Sequence, residues 1–162
     1  MKTYASTYIS PLGTIIIESD GEALTCLRLE ESGVETMEKT TKADDAADIP
    51  VIAEVRKWLD AYFAGKKPRN VLKLNPQGTA FQRKVWQALL SIPYGRTITY
   101  GELARLIGCR SAQAVGQAVG HNPIALIIPC HRIVGANGAL GGYAFGVERK
   151  KKLLELENAD CL

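Results

Sequence analysis

Cys130 and His131 are the residues of this sequence best suited to nucleophilic chemistry. Cys130 follows an apolar run over 124–128 and Pro129, and it directly precedes His131. A free thiol has a pKa of about 8.5, so a nucleophilic cysteine needs a nearby base or positive charge. His131 could be that base, through a bridging water, if a carboxylate held its imidazole. Taken alone, however, the dipeptide favours a buried cysteine beside a surface histidine.

The remaining cysteines and histidines carry no metal or disulfide signature. The sequence has four cysteines and two histidines, with no CxxC pair. Structural zinc takes four clustered ligands, and a disulfide framework takes patterned cysteines in a short secreted chain. We therefore predict no metal and no cofactor, with Cys26 in a core strand, Cys109 in a turn and Cys161 at a frayed terminus.

Length and composition are those of an ordinary globular protein. The 162 residues are 46% hydrophobic and 23% charged, enough for one compact domain or two small ones. The first residues contain no long apolar core, and no stretch approaches about 18 uninterrupted apolar residues. We therefore expect no signal peptide, no membrane span and a cytoplasmic location.

Charge is distributed unevenly along the chain. Residues 1–76 hold 10 Lys/Arg and 12 Asp/Glu, whereas residues 77–162 hold 10 Lys/Arg and 5 Asp/Glu. The second part is where a polyanion would bind, although many soluble domains show this much asymmetry by chance.

The first part, residues 1–76, is predicted to be a small α/β scaffold domain. Runs rich in Ile, Thr and Tyr predict an antiparallel meander with strands Tyr4–Ile9, Gly13–Glu18 and Leu24–Leu29. The polar segment 30–48 predicts a loop with a helical piece. Pro50 then begins a helix that ends at Gly65, because the apolar residues between them recur at helical spacing.

The second part, residues 77–162, is predicted to be mostly helical, after a basic, proline-containing connection over 66–78. Helices are predicted from about Phe81 to Leu89, over Thr99–Ile107 with a Thr99–Glu102 capping box, and from Ser111 to about Val119. The last two, joined by a tight turn at Gly108, form a helix-turn-helix pattern. The fold class is therefore α/β, with a small antiparallel sheet domain followed by a helical domain.

The cysteine lies between this pattern and a last helix. The apolar run over 124–128 predicts a short buried strand or extended segment, and 135–146 is a glycine-rich loop that holds Tyr143. The last helix is predicted from Val147 to about Glu157. Its basic run, Arg149–Lys152, is typical of a solvated helix face.

Ordered motifs surround Cys130 over residues 79–157. They are Phe81-Gln82-Arg83-Lys84-Val85-Trp86, Ile92-Pro93-Tyr94-Gly95, Thr97, Thr99-Tyr100, Ala114-Val115-Gly116, Asn122-Pro123, Pro129-Cys130-His131-Arg132-Ile133-Val134-Gly135, Gly142-Tyr143 and Lys152-Leu153-Leu154-Glu155-Leu156-Glu157. In this order they resemble the O6-alkylguanine-DNA alkyltransferase (methylated-DNA–protein-cysteine methyltransferase) family. The first part of the chain resembles that family's variable first domain only loosely.

The resemblance implies catalytic roles for five residues. Cys130 would accept the alkyl group, His131 would take the thiol proton through a water, and Glu157 would orient His131. Asn122 would organise the turn around the thiol. Tyr100 would donate to guanine N3 as the leaving group gains charge, since a phenol with a pKa near 10 is protonated at neutral pH.

The resemblance also implies residues that contact the flipped base or the DNA. In this family the second helix of the helix-turn-helix lies in the minor groove, where small side chains permit a close approach. Tyr143 would form a wall of the base pocket, unless it is a core tyrosine, and Ile133 and Val134 would shape the pocket floor. The full set is Gln113, Ala114, Gly116, Arg132, Val134, Tyr143, Ala144 and Phe145.

The implied reaction is the repair of alkylated guanine in double-stranded DNA by a monomer. The alkylated oxygen lies inside the base stack, so the nucleotide must be flipped out at a cost of a few kcal/mol. A thioether is a poor leaving group, so each molecule would act once. The choice between O6-alkylguanine and O4-alkylthymine stays open, as does the preferred alkyl size.

Three positions depart from the family pattern. Gln113 stands where many members carry an arginine that fills the gap left by the flipped base, which predicts weaker salt dependence and retained activity. Ala144 lacks the hydroxyl of a serine found in some members, so only its backbone N–H could contact the alkylated oxygen. Phe145 replaces a glycine that admits a benzyl group in some relatives, which predicts slow reaction with O6-benzylguanine.

Other classes of function compete with this hypothesis. A non-catalytic DNA-binding protein that only recognises alkyl lesions would lack the acceptor cysteine, whereas this chain keeps Cys130. A thiol hydrolase would turn over, and a redox protein would show a resolving cysteine nearby in sequence. A regulatory helix-turn-helix would usually carry a basic recognition helix, and residues 112–120 contain no Lys or Arg.

Overall fold

A computed structural model describes residues 3–30, 46, 48–69 and 71–158. The chain divides into two units, Met1–Gln77 and Gly78–Leu162. Cys161 and most of the polar segment 30–48 lie outside the described residues. Within the described ranges, no helix has both the length and the apolar character needed to cross a membrane.

The sheet of the first unit is the predicted antiparallel meander. Its strands are β1 (Tyr4–Ser10), β2 (Gly13–Ser19) and β3 (Leu24–Leu29), paired in the order β1-β2-β3. The β1–β2 turn closes with Ser10 opposite Gly13, whose φ of +115° favours glycine. The prediction of a meander is confirmed, with β1 and β2 each one residue longer than expected.

One helix, α1 (Pro50–Phe63), packs against β2 in the same unit. Proline suits the first position of a helix, where its missing N–H has no intrahelical partner to lose. The buried stripe of α1 has helical spacing and consists of Val51, Ile52, Val55, Trp58, Leu59 and Tyr62. This sheet and helix account for the α/β character of the fold.

The second unit is built from helices, two of which begin at caps expected from the sequence. Its helices are α2 (Ala80–Leu89), α3 (Tyr100–Leu106), α4 (Ala112–Gly120) and α5 (Val147–Leu156). The Thr99–Glu102 capping box and the Ser111 cap are both present, and Thr79 with Gln82 forms a further capping box. Each cap satisfies amide donors that the helix leaves unpaired.

Trp86 of α2 fixes the position of α4. Its indole Nε1 donates to Ala118 O of α4 at 2.8 Å, and the side chain is buried. The ring also packs directly over Gly78, where a Cβ would lie 2.5 Å from ring carbon Cη2. The helix-turn-helix formed by α3 and α4 is therefore held to α2 by both packing and a hydrogen bond.

A short parallel pair of strands brings the two halves of the site together. Strand β4 (Ile98–Thr99) pairs with β5 (Ile133–Val134), with Ile98 opposite Ile133 and Thr99 opposite Val134. Tyr100 follows β4 directly, and β5 follows the turn that carries Cys130. This pairing therefore sets Tyr100 beside the cysteine-bearing segment.

The prediction of a strand or extended segment over 124–128 is wrong. These residues are buried as expected, but they form consecutive tight turns, in which the Ile127 amide donates to Ala125 O and the Ile128 amide to Ile124 O. Leu126 adopts a left-handed φ of +68°. An apolar run indicates burial, but it does not distinguish a strand from another buried conformation.

Gly78→Ala should destabilise the second unit by about 1–3 kcal/mol through overpacking. The new Cβ would lie 2.5 Å from the Trp86 ring and 2.7 Å from the Gln82 Oε1 atom. Gly101→Ala is the matched control, because its Cβ would meet Thr99 Oγ1 at an ordinary 3.8 Å. Urea denaturation followed by circular dichroism measures both, and equal effects would contradict the packing argument.

Candidate active site

A pocket of about 250 Å³ in the second unit contains the Cys130 thiol. Its walls come from the start of α3, the second half of α4, the turn at Cys130 and the loop before α5. The lining residues are Tyr100, Gly116, Val119, Gly120, Asn122, Cys130, Gly142, Tyr143, Ala144 and Phe145. Seven of these are residues that the sequence analysis selected, so the structure brings most of that set to one place.

Cys130 opens a single 3-10 turn, Cys130–Arg132, and is buried. Its amide donates to Ile128 O at 2.8 Å, which fixes the entry of the chain into the turn. Burial raises the pKa of the Cys130 thiol, whereas Asn122, the charge of Lys150 and the Tyr143 hydroxyl act in the opposite direction. The resting side chain is therefore a thiol whose thiolate form is stabilised by three specific neighbours.

Asn122 holds the turns that precede the cysteine. Its Nδ2 donates to Ile128 O at 2.8 Å, and its Oδ1 accepts from the Ile124 amide at 3.0 Å. The side chain thus closes both ends of the turn segment and also faces the thiol. This geometry agrees with the expectation that Asn122 organises the turn.

Tyr143 combines a pocket wall with a polar contact at the thiol. Its hydroxyl is buried and faces Cys130, without forming a well-aligned hydrogen bond. Burial, with the negative charge that Cys130 can carry, raises the pKa of Tyr143 well above its ordinary value. Its ring meets Phe145 edge-on, with centroids 5.5 Å apart. The two aromatic side chains therefore narrow the pocket on the side of the loop.

Tyr100 lies in the pocket wall provided by α3. Burial and the negative charge that Cys130 can carry raise the pKa of Tyr100, so its hydroxyl is a donor at neutral pH. Gly116 of α4 faces the ring of Tyr100, and a Cβ there would come within 3.6 Å of it. The absence of a side chain at this position leaves the space beside the ring open.

His131 and Glu157 form a buried pair next to Cys130. His131 Nε2 is 2.6 Å from Glu157 Oε2, and both side chains are fully buried. Burial lowers the pKa of His131, although Glu157 opposes this, so the imidazole is neutral at pH 7. Since its partner is a carboxylate, the neutral ring carries its hydrogen on Nε2. Nδ1 is then the unprotonated nitrogen, and it forms no hydrogen bond with any residue that the structure describes.

Arg132, selected from the sequence as a DNA-contacting residue, points instead into the protein. Its Nε donates to Glu157 Oε1 at 2.8 Å, its Nη2 to Oε2 at 3.2 Å and its Nη1 to Ile92 O at 2.8 Å. Although burial opposes ionisation, the hydrogen bonds and charges of His131 and Arg132 lower the pKa of Glu157 to about 2. Glu157 is therefore an anion shared by two partners.

Lys150 is a functional candidate that the sequence analysis missed. The basic run Arg149–Lys152 was expected to be a solvated helix face, but Lys150 is fully buried. Its Nζ donates to Leu140 O and to Gly142 O, and its charge lowers the pKa of Cys130. A signal existed, because Lys150 precedes the buried Leu153 by three residues and so lies on the apolar face of α5.

The other expected contact residues lie away from the pocket lining. Gln113 is exposed in the first turn of α4, Ala114 beside it is half-buried, and Val134 is buried in its pairing with Thr99. Val119 and Gly120 line the pocket although the sequence analysis did not select them. Their signal was a spacing of three and four residues from Gly116, which places them on the same face of α4.

The other described cysteines lie outside the pocket. Cys26 is half-buried in β3, where burial and the Glu18 carboxylate raise its pKa to about 12. Cys109 lies between α3 and α4, with its sulfur 3.6 Å from Ser111 O. Within the described residues, no three His, Cys, Asp or Glu side chains are grouped so that they could hold a metal ion.

Both units match known families. Residues 3–76 match the family model described as 6-O-methylguanine DNA methyltransferase, ribonuclease-like domain. Residues 80–159 match the model described as 6-O-methylguanine DNA methyltransferase, DNA binding domain.

Individual relatives match along nearly the whole chain. A Mycobacterium tuberculosis protein named methylated-DNA–protein-cysteine methyltransferase is 46% identical over 154 residues, 94% of this chain and 91% of the relative. A protein of the same name from Methanosarcina acetivorans is 42% identical, covering 96% and 99%. The crystal structure of Mycobacterium tuberculosis OGT in complex with DNA superposes with a TM-score of 0.83 at 44% identity, covering 96% of this chain and 92% of that one. The chain therefore belongs to the methylated-DNA–protein-cysteine methyltransferase family.

Proposed function

We propose that this protein repairs O6-alkylguanine in double-stranded DNA by transferring the alkyl group to the sulfur of Cys130. The observation that carries the proposal is the placement of the thiol in a pocket with Tyr100, Asn122 and Tyr143, next to the buried His131–Glu157 pair. Relatives named methylated-DNA–protein-cysteine methyltransferase, one of them solved with DNA, support the same activity.

Proton transfer precedes or accompanies the attack. Cys130 rests as a thiol and His131 as a neutral imidazole, so the acid and the base each hold the form that the reaction needs. His131 takes the thiol proton at Nδ1 through one bridging water. Glu157 steadies the resulting imidazolium, as the carboxylate of a catalytic triad does.

The thiolate then attacks the alkyl carbon in the pocket. An S–C bond forms, the C–O6 bond breaks, and its electron pair moves onto the guanine ring. Tyr100 donates its hydroxyl proton to guanine N3, and the proton held by His131 returns to the phenolate through solvent. Over the whole reaction the alkyl group ends on sulfur and the thiol proton on guanine. A thioether is a poor leaving group, so each molecule reacts once.

DNA is contacted by the second unit, with α4 in the minor groove. Ala114 and Gly116 permit a close approach of the helix, and exposed Gln113 occupies the place vacated by the flipped base. The first unit, in this proposal, is a scaffold. The monomeric state and the cytoplasmic location stay predictions.

A covalent mass measurement tests the proposal. Mixing the protein with a duplex containing one O6-methylguanine should add one methyl group per protein, mapped to Cys130. Cys130→Ala should gain nothing, whereas Cys109→Ala, which removes a thiol outside the pocket, should gain one methyl. No gain with tight binding to the lesion would instead make the protein a recognition-only DNA-binding protein, and no gain without binding would leave only the family fold.

Phe145 should restrict the pocket to small alkyl groups. Its ring lines the pocket against Tyr143, so a benzyl group meets an aromatic wall. Phe145→Gly should accelerate the reaction with O6-benzylguanine about tenfold or more, which corresponds to relief of about 1.4 kcal/mol in the transition state. Single-turnover rates measure this, with Ala144→Gly as the control. Unchanged rates in Phe145→Gly would contradict this role.

Gln113 should make a contact with DNA that carries no charge. Gln113→Arg should steepen the dependence of binding on salt, by up to about 0.9 in the slope of log K against log salt if one phosphate is neutralised. Methyl transfer should persist in both proteins. Binding titrations across salt concentrations measure the slope, and identical slopes would refute the assignment.

A further inference from the structure

We infer that Arg132 is a positioning residue for proton transfer, which holds Glu157 as a shared anion so that His131 rests neutral with Nδ1 ready to accept the thiol proton. This inference rests on the proposed function and assigns a role that Arg132 plays through Glu157 and His131. Arg132 itself is absent from the pocket lining.

The guanidinium engages both carboxylate oxygens. Arg132 Nε lies 2.8 Å from Glu157 Oε1, and Nη2 lies 3.2 Å from Oε2, the same oxygen that His131 contacts at 2.6 Å. The third donor, Nη1, is held by Ile92 O at 2.8 Å. Only a planar, forked cation makes these contacts together, and the ammonium of lysine is a single point of charge.

The loop over 92–95 makes further contacts around the Glu157 carboxylate. The Gly95 amide donates to Glu157 Oε1 at 3.4 Å, and the Tyr94 hydroxyl donates to Leu156 O at 3.3 Å. The Arg132 guanidinium carbon lies 5.7 Å from the centre of the Tyr94 ring, within cation–π range. Glu157 is therefore fixed by contacts from the loop, the Cys130–Arg132 turn and the end of α5.

The charges around His131 decide its protonation state. The groups that act on it are the carboxylate of Glu157, which favours the imidazolium, and the cations of Arg132 and Lys150, which disfavour it. Burial disfavours the imidazolium further. With Arg132 in place, the Glu157 carboxylate is already paired with a cation. It therefore stabilises the imidazolium form of His131 less strongly. Without Arg132, a buried carboxylate would have His131 as its direct hydrogen-bonding partner and would draw a proton onto it.

The loss of Arg132 should therefore shift the pH dependence of the transfer rate. An imidazolium cannot accept the thiol proton, so the rate of transfer falls as pH drops through the pKa of His131. In the wild type this pKa is lowered, and the acid limb lies below neutral pH. Removing the Arg132 cation raises the pKa of His131. The acid limb of the pH–rate profile therefore moves to higher pH, and the transfer rate recovers in alkali.

Arg132→Met removes the charge and keeps much of the apolar stem, and Arg132→Lys keeps a charge without the fork. Arg28→Met is the control, because it removes an arginine cation from β3 of the first unit and leaves the Arg132 guanidinium in place. Single-turnover methyl transfer from an O6-methylguanine duplex is measured from about pH 5.5 to 9 for each protein. In Arg132→Met we expect the acid limb to move up by about one unit or more, with a rate up to about tenfold lower on the acid limb, and recovery towards the wild-type rate in alkali. The acid limb of Arg132→Lys should lie between those of Arg132→Met and the wild type, and Arg28→Met should follow the wild type.

Titration of the His131 ring by NMR, without DNA, gives a second readout that does not depend on transfer. The chain has two histidines, and exposed His121 serves as the internal reference. A higher His131 pKa in Arg132→Met than in the wild type supports the inference. If the methionine variant does not fold, the same comparison is made with Arg132→Lys. An equal loss of rate at all pH values with unchanged titration would reduce Arg132 to a structural residue. If the wild type transfers no methyl group, the proposed function fails, whereas the titration still decides the role of Arg132.

Discussion

The Glu157 carboxylate is the charge on which the arrangement of the second unit depends. It accepts hydrogen bonds from His131, Arg132 and the Gly95 amide, and so ties together three segments that are distant in sequence. A buried anion is costly unless it is paired and fully hydrogen-bonded. The contacts that satisfy it are therefore also the contacts that place the imidazole beside Cys130.

The helix α5 serves the site at both ends. Glu157 caps its C-terminus, and Lys150, two turns earlier on the same face, reaches the carbonyls of the loop that carries Tyr143. Leu153 lies between them and is fully buried. One amphipathic helix thus places the Glu157 anion at the base and the Lys150 cation near the thiol. Its buried apolar residues fix the distance between these two charges.

Local signals in the sequence were sufficient for the three-stranded meander and for the helices α1 to α5, because caps and turns act within a few residues, whereas β4 and β5 were not predicted. The Thr99–Glu102 capping box is one such signal. The conformation over 124–128 was not predictable in this way, because the Asn122 side chain binds the backbone of the turns. The placing of His131 with Glu157 came from family resemblance, since the two are 26 residues apart. The inward direction of Arg132 depends on its contacts with Glu157 and Ile92, which composition does not reveal, whereas the helical spacing of Lys150 from Leu153 was a signal for its burial.

Gly95 has a consequence for how the sequence can vary. Its φ is +81°, and a Cβ there would lie 3.2 Å from the backbone oxygen of Glu157, 62 residues later in the chain. A side chain at this position would strain the loop and press on the residue that orients the base. The Pro-Tyr-Gly motif is thus constrained by a residue 62 positions later in the chain, and any side chain at position 95 would require the backbone at Glu157 to shift.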